Sequence, residues 1–74
     1  ENEKLVSRSQ AKRLLARIEK FQYVIFDFKG VSSIGQAFAD EIFRVYALQN
    51  KEIFIAPVNM NEEVTSMVNR ALGI

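Results

Sequence analysis

The chain has no cysteine and no histidine. Without cysteine, a disulfide framework, a thiolate nucleophile and a zinc finger are excluded. Without histidine, the commonest general base and the commonest neutral metal ligand are missing. Acid–base chemistry would fall to Asp, Glu, Lys or Tyr alone. Proline occurs once and glycine three times, so no Pro/Gly-rich linker divides the sequence. No apolar run approaches the roughly 20 residues that span a bilayer, and no signal peptide opens the chain. With no thiol to oxidise, the expected compartment is the cytoplasm. The chain starts Glu1-Asn2-Glu3 without a methionine, which reads as a domain excised from a longer protein.

What is present is globular. The 74 residues are 49% hydrophobic and 26% charged, with six Phe and two Tyr, too apolar for a disordered segment. They make one small domain, 1–74, that buries only roughly 60% of its unfolded surface. The net charge of +1, from ten basic and nine acidic side chains, favours no class of partner by itself.

Lys4-Leu5-Val6 reads as a short edge strand. Ser7 with Gln10 three residues later is a capping-box pattern. Ala11, Leu14, Leu15 and Ile18 then recur at helical spacing, predicting a first helix over Ser9 to Lys20. Tyr23 to Phe28 is β-branched and aromatic and reads as a central parallel strand buried on both faces. Ser33 is a good N-cap with Gln36 three residues on, so a second helix runs to about Gln49. Ile53 to Ala56 is a second buried strand, ended by Pro57-Val58. Asn61 caps a third helix, with Glu62 and Glu63 in its first turn, a stripe of Val64, Met67, Val68 and Leu72, and Gly73 as the stop. The order β-α-β-α-β-α predicts an α/β domain with a mostly parallel sheet.

The stretch YVIFDFKGVSSIGQAFADEIFR, Tyr23 to Arg44, concentrates the features that point to function. A strand runs into a polar loop, and the loop becomes a helix. In open α/β folds partners and ligands bind at such junctions. Gly35 allows another chain to approach the start of the helix, and the amides near Ile34, Gly35 and Gln36 either hold an anion or belong to a plain turn and cap made by two Ser and two Gly. Nucleotide fingerprints are absent. Gln36, Asp40 and Arg44 fall at i, i+4 and i+8 and share one helix face. Phe38, Ile42 and Val45 form the core stripe of that helix, while Ala39, Phe43 and Tyr46 project to one side, to pack on another helix or to meet a partner. Asp27 either accepts hydrogen bonds from the loop amides or acts as a base. A base there would need a second group such as Glu41 or Asp40, and no His supports it. The first helix carries Arg8, Lys12, Arg13, Arg17 and Lys20 against the single acid Glu19, which is either the solvated face of an amphipathic helix or an electrostatic footprint for nucleic acid or an anionic membrane, without aromatics for base stacking.

The residues LVSRSQAKRLL and FDFKGVSSIGQAFADEIFRV resemble the bacterial STAS-like domain of unknown function family, from Leu5 to about Ala71. IGQAFADEIFR is the most specific part. The resemblance implies a compact α/β domain found alone or beside DNA-binding and histidine-kinase-type ATPase modules. More distantly, the chain resembles the anti-sigma-factor-antagonist (STAS) domains. Asp27, Val31 and Ile34 match their strand-to-helix pattern. Gly35 stands where the second Asp falls, Gln36 where the phosphorylated Ser falls, and Ala37 and Phe38 fill the remaining places. The phospho-acceptor is therefore not carried over, and Ser32 and Ser33 lie outside the matched position.

The reading that follows is a non-enzymatic interaction module without cofactor or metal. Its candidate partner-binding residues are Val31, Ser32, Ser33, Gly35, Gln36, Asp40, Phe43 and Arg44. The partner would be a protein, such as a kinase-type ATPase domain, a domain of the parent chain or a second copy. The alternative is association with nucleic acid through the basic first helix.

Overall fold

The structure is a computed structural model and describes residues 5–74. The elements are α1 (Arg8–Leu15), β1 (Tyr23–Asp27), α2 (36–49), β2 (Phe54–Val58) and α3 (Glu62–Leu72). The α/β class holds, and the sheet is parallel. Among the described residues it has two strands, with Tyr23 opposite Phe54 and Asp27 opposite Val58. The expected first strand is not seen at Leu5-Val6, which is irregular, and Lys4 lies outside the described residues.

Local chemistry sets the helix starts. Ser7 Oγ accepts from the Gln10 amide at 3.1 Å, and Gln10 Oε1 accepts from the Ser7 amide at 2.9 Å. This reciprocal pair satisfies donors that a helix end leaves open. Asn61 caps α3 through its Oδ1, which accepts from the Val64 amide at 2.8 Å. Gly73 ends α3 with φ 80°, in the left-handed region where glycine has no steric cost.

Helix α1 is shorter than its periodicity predicts. Beyond Leu15 the chain tightens into i→i−3 turns, with Arg17 N bonded to Leu14 O and Ile18 N to Leu15 O, both at 3.1 Å. Ile18 still packs against the core, but Arg17 and Lys20 leave the helix. The basic run is therefore not one helical face.

Helix α2 lies between α1 and α3 and touches both. It is α-helical over Gln36–Asp40, π-helical over Glu41–Tyr46 and α-helical again over Ala47–Gln49. Glu41, Ile42 and Phe43 are buried in succession. At 3.6 residues per turn, three consecutive residues spread over about 200°. The wider π-turn narrows that arc and lets all three face inward.

The core gathers Ala11 and Leu15 from α1, Phe38, Ala39, Ile42 and Phe43 from α2, and Val64, Val68 and Ala71 from α3. Phe28 and Ile34 from the loop complete it. In α3 the inward position is Ala71, while Leu72 is 49% exposed, so the predicted stripe turns by one residue at its end. The Tyr46 hydroxyl is buried without a hydrogen-bond partner. That burial raises its pKa, and the charges of Glu19 and Glu52 add to the shift.

The helices cover one face of the sheet. Val24 and Phe26 turn towards them, while Tyr23 and Ile25 are 64% and 55% exposed. The expectation that both faces of this strand are buried is therefore corrected. A run of apolar residues does not reveal whether a second layer exists. On the open face the Tyr23 and Phe54 rings stack with centroids 4.9 Å apart. No described helix is long and apolar enough to cross a membrane.

Candidate functional site

The loop between β1 and α2 leaves the carboxyl end of β1 and is tied down along its length. Asp27 Oδ1 accepts from the Lys29 amide at 3.0 Å and from Asn59 Nδ2 at 2.9 Å. Asn59 reaches it from a left-handed turn after β2, with φ 56°, a conformation that Asn adopts more readily than most residues. The Asn59 bond, then the Lys29 amide, lower the Asp27 pKa; burial opposes them less strongly, and the Lys29 charge adds the smallest lowering effect. Asp27 thus takes the loop-organising role that its position suggests.

Gly30 turns the chain with φ 82°. Asn61 Nδ2 then donates to Ser32 O at 2.9 Å and to Val31 O at 3.4 Å. One side chain therefore caps α3 and pins the loop beside it. Val31 is half-buried, and Ser32 and Ser33 are exposed.

At the start of α2 the structure corrects two expectations. The N-cap is Gly35, not Ser33, and no side chain caps it. The chain that approaches Gly35 closely is its own N-terminal segment. The Gly35 amide donates to Leu5 O at 2.8 Å, and a Cβ at Gly35 would lie 2.8 Å from both the Cα and the O of Val6. That amide is spent, so an anion cradle here would lack its central donor, and the plain turn is the better reading of these residues.

Beyond Gly35 the side chains link α2 to α3. Gln36 Nε2 donates to Asp40 Oδ1 at 3.1 Å and to Met67 O at 3.4 Å, while Gln36 Oε1 accepts from Arg70 Nη1 at 3.4 Å. Arg44 Nη2 lies 3.5 Å from Asp40 Oδ2, with the Arg44 side chain 51% exposed. Gln36, Asp40 and Arg44 therefore form one strip, as their spacing predicts. Arg70 extends it, and sequence reasoning missed that residue because the contact crosses 34 positions. The strip reads Arg44, Asp40, Gln36, Arg70, with a cation at each end. Exposed pairs of this kind add only a few tenths of a kcal/mol each, so the strip matters more as a patterned surface than as a source of stability. Arg70 also borders a shallow groove of about 610 Å³ along α3, lined further by Asn61, Thr65, Ser66 and Asn69.

Phe43 does not belong to this surface. It is 5% exposed, with its ring edge-on to Phe26 at 6.0 Å and tilted against Phe28 at 6.5 Å. Its inclusion among the partner-binding residues is corrected: it joins the helix layer to the sheet. Ala39 is fully buried and Tyr46 half-buried, so the apolar excess of α2 serves internal packing.

The carboxylates do not converge. Asp27 is held by Asn59, Asp40 by Gln36 and Arg44, and Glu41 by Arg8, whose Nε lies 3.4 Å from Glu41 Oε1. Glu41 is buried at the junction of α1 and α2, and Arg8 shields its charge. One of the basic residues of α1 is thereby committed to an internal pair.

A comparison with family models matches residues 10–65 to a STAS-like domain of unknown function. Neither the curated proteins nor the solved structures contain a match. The matched span holds most of α1, both strands, the pinned loop and all of α2, and on that span the chain belongs to the STAS-like domain family.

Proposed function

We propose that this chain is a non-enzymatic interaction module that docks a protein partner. The docking surface is the exposed part of the loop, Val31 to Ser33, with the strip Arg44, Asp40, Gln36 and Arg70. In a parent protein it would pass a signal to a kinase-type ATPase or DNA-binding domain and so act on transcription. The observation that carries the reading is the strip itself. Two helices contribute to it, its side chains are mutually oriented, and it lies beside a loop held rigid by Asn61. Such pre-ordering lowers the entropy lost on binding. Alternating charges favour selection of one partner over others.

The test is capture from bacterial lysate with the tagged domain and with the triple variant Gln36→Ala, Asp40→Ala, Arg44→Ala. Circular dichroism checks that the variant is folded. A protein retained by the wild type and lost by the variant is the expected result. Equal retention by both refutes the surface. Retention of nuclease-sensitive material alone, lost on charge reversal at Arg13 and Arg17, would instead favour the nucleic-acid reading.

A further inference from the structure

The strip has an order of charge as well as a fixed orientation. Arg44 meets Asp40 through Nη2 alone, at 3.5 Å, and its side chain is 51% exposed. Its Nε–H and Nη1 donors remain for an incoming acceptor. Arg70 is exposed and gives Nη1 to a neutral oxygen, Gln36 Oε1, at 3.4 Å. Among the described residues no acid pairs with it. Between the two cations, Asp40 takes Gln36 on Oδ1 and Arg44 on Oδ2, with its side chain 24% exposed. The order is cation, acid, amide, cation, and two arginines against one aspartate leave the strip net positive. Gln36 and Arg44 stand eight positions apart on α2, and Arg70 meets α2 at Gln36. At about 1.5 Å per residue, the two cations are anchored roughly 10–12 Å apart.

A uniform polyanion fits this order poorly. The phosphates of a nucleic acid repeat one sign at every step, and the carboxylate of Asp40 stands in the middle of the strip. Glu62 lines the groove that opens beside Arg70 and repels them again. We infer that the strip receives a protein segment that carries two carboxylates roughly 10–12 Å apart, with a Lys or Arg between them. The inference rests on the docking reading above and adds the chemistry of the partner. One carboxylate takes the remaining N–H groups of Arg44 and the other those of Arg70, while the cation between them faces Asp40. A helix with Glu at positions i and i+7 and Lys at i+3 presents that order on one face. Exposed pairs are individually weak, so the strip by itself selects its partner more than it tightens the grip.

The test is an NMR titration of the isotope-labelled domain with helical peptides of one composition. The matched peptide carries Glu, Lys and Glu at i, i+3 and i+7. The exchanged peptide swaps the Lys with the first Glu, so the same charges arrive in the wrong order. The matched peptide should move the Arg44 and Arg70 Nε–H signals and bind about tenfold more tightly than the exchanged one, in the millimolar range. The variant Arg44→Glu, Asp40→Lys, Arg70→Glu should lose the matched peptide and take up a third one with all three charges inverted, a gain that only a folded variant can show. Equal binding of the matched and exchanged peptides overturns the inference. So does the absence of shifts at about 5 mM peptide, tighter binding of a single-stranded oligonucleotide at the same residues, or a variant of native circular dichroism that ignores the inverted peptide. The docking reading falls on a different result, lysate capture that the triple alanine variant leaves unchanged. Capture lost in that variant, with the matched and exchanged peptides bound equally, keeps the docking surface and removes the charge order.

Discussion

Replacing Gly35 with alanine should destabilise the domain through two residues far away in sequence. The Gly35 backbone, at φ −84° and ψ 157°, suits alanine, so no strain arises from the dihedrals. The added methyl would stand 2.8 Å from the Val6 Cα and carbonyl oxygen. Backbone cannot swing aside as a side chain can. Overpacking of this kind costs about 1–3 kcal/mol. Displacing the segment also forfeits the Gly35–Leu5 hydrogen bond, about 0.5–1.5 kcal/mol. Reduced freedom of the unfolded chain returns about 0.4–1 kcal/mol, and the N-cap preference for Gly over Ala takes back a similar amount. The net is a loss of about 3 kcal/mol, set against a total stability of roughly 4–11 kcal/mol for a chain this long. Thermal melting should fall by roughly 12–24 °C, and the urea midpoint should fall with an unchanged slope. The control is the same substitution in a chain that starts at Ser7. With Leu5 and Val6 gone, the entropic gain and the N-cap preference for Gly over Ala nearly cancel, and the effect should lie within about 0.5 kcal/mol. An equal loss in both backgrounds, or no loss in the longer one, refutes the reasoning.

Asn61→Ala should cost about 1–2 kcal/mol from the lost cap and speed amide exchange across 31–35. Asn61→Ser should recover the helix but not the loop protection, because serine is too short to reach Ser32 O; full protection in that variant would remove Asn61 from its pinning role. The Asp27 pKa is lowered in the folded state. Its contribution is therefore present above the ordinary aspartate value of 3.8 and is lost as pH falls through the lower folded value. The difference in urea midpoint between wild type and Asp27→Asn should shrink between about pH 6 and about pH 2.5, and a constant difference would contradict the Asn59 and Lys29 bonds.

The parts legible in the sequence are those decided within a few residues. Ser7 with Gln10, Asn61 with Glu62 and Glu63, and Gly73 at a helix end each act on their own turn. Gln36, Asp40 and Arg44 meet because a helix brings every fourth residue together. The misreadings share a different origin. Ser33 is a better intrinsic cap than Gly35, yet the passage of Leu5 and Val6 over the start of α2 demands a residue without a Cβ. Tyr23 and Ile25 look like core residues until the described helices prove to lie on one side of the sheet. Phe43 looks available until the π-turn rotates it inward against Phe26 and Phe28. Arg70 enters the site across 34 positions, a distance over which no periodicity carries information.

Pro57 has a consequence for how far the sheet can grow. An extendable sheet with two live edges is a polymerising monomer, since every addition exposes a fresh edge like the one it consumed. A strand pair with one live edge behaves like a reagent carrying its own chain terminator. The single proline of this chain, placed on the outward register of β2, withholds a donor from any strand that would add on that side.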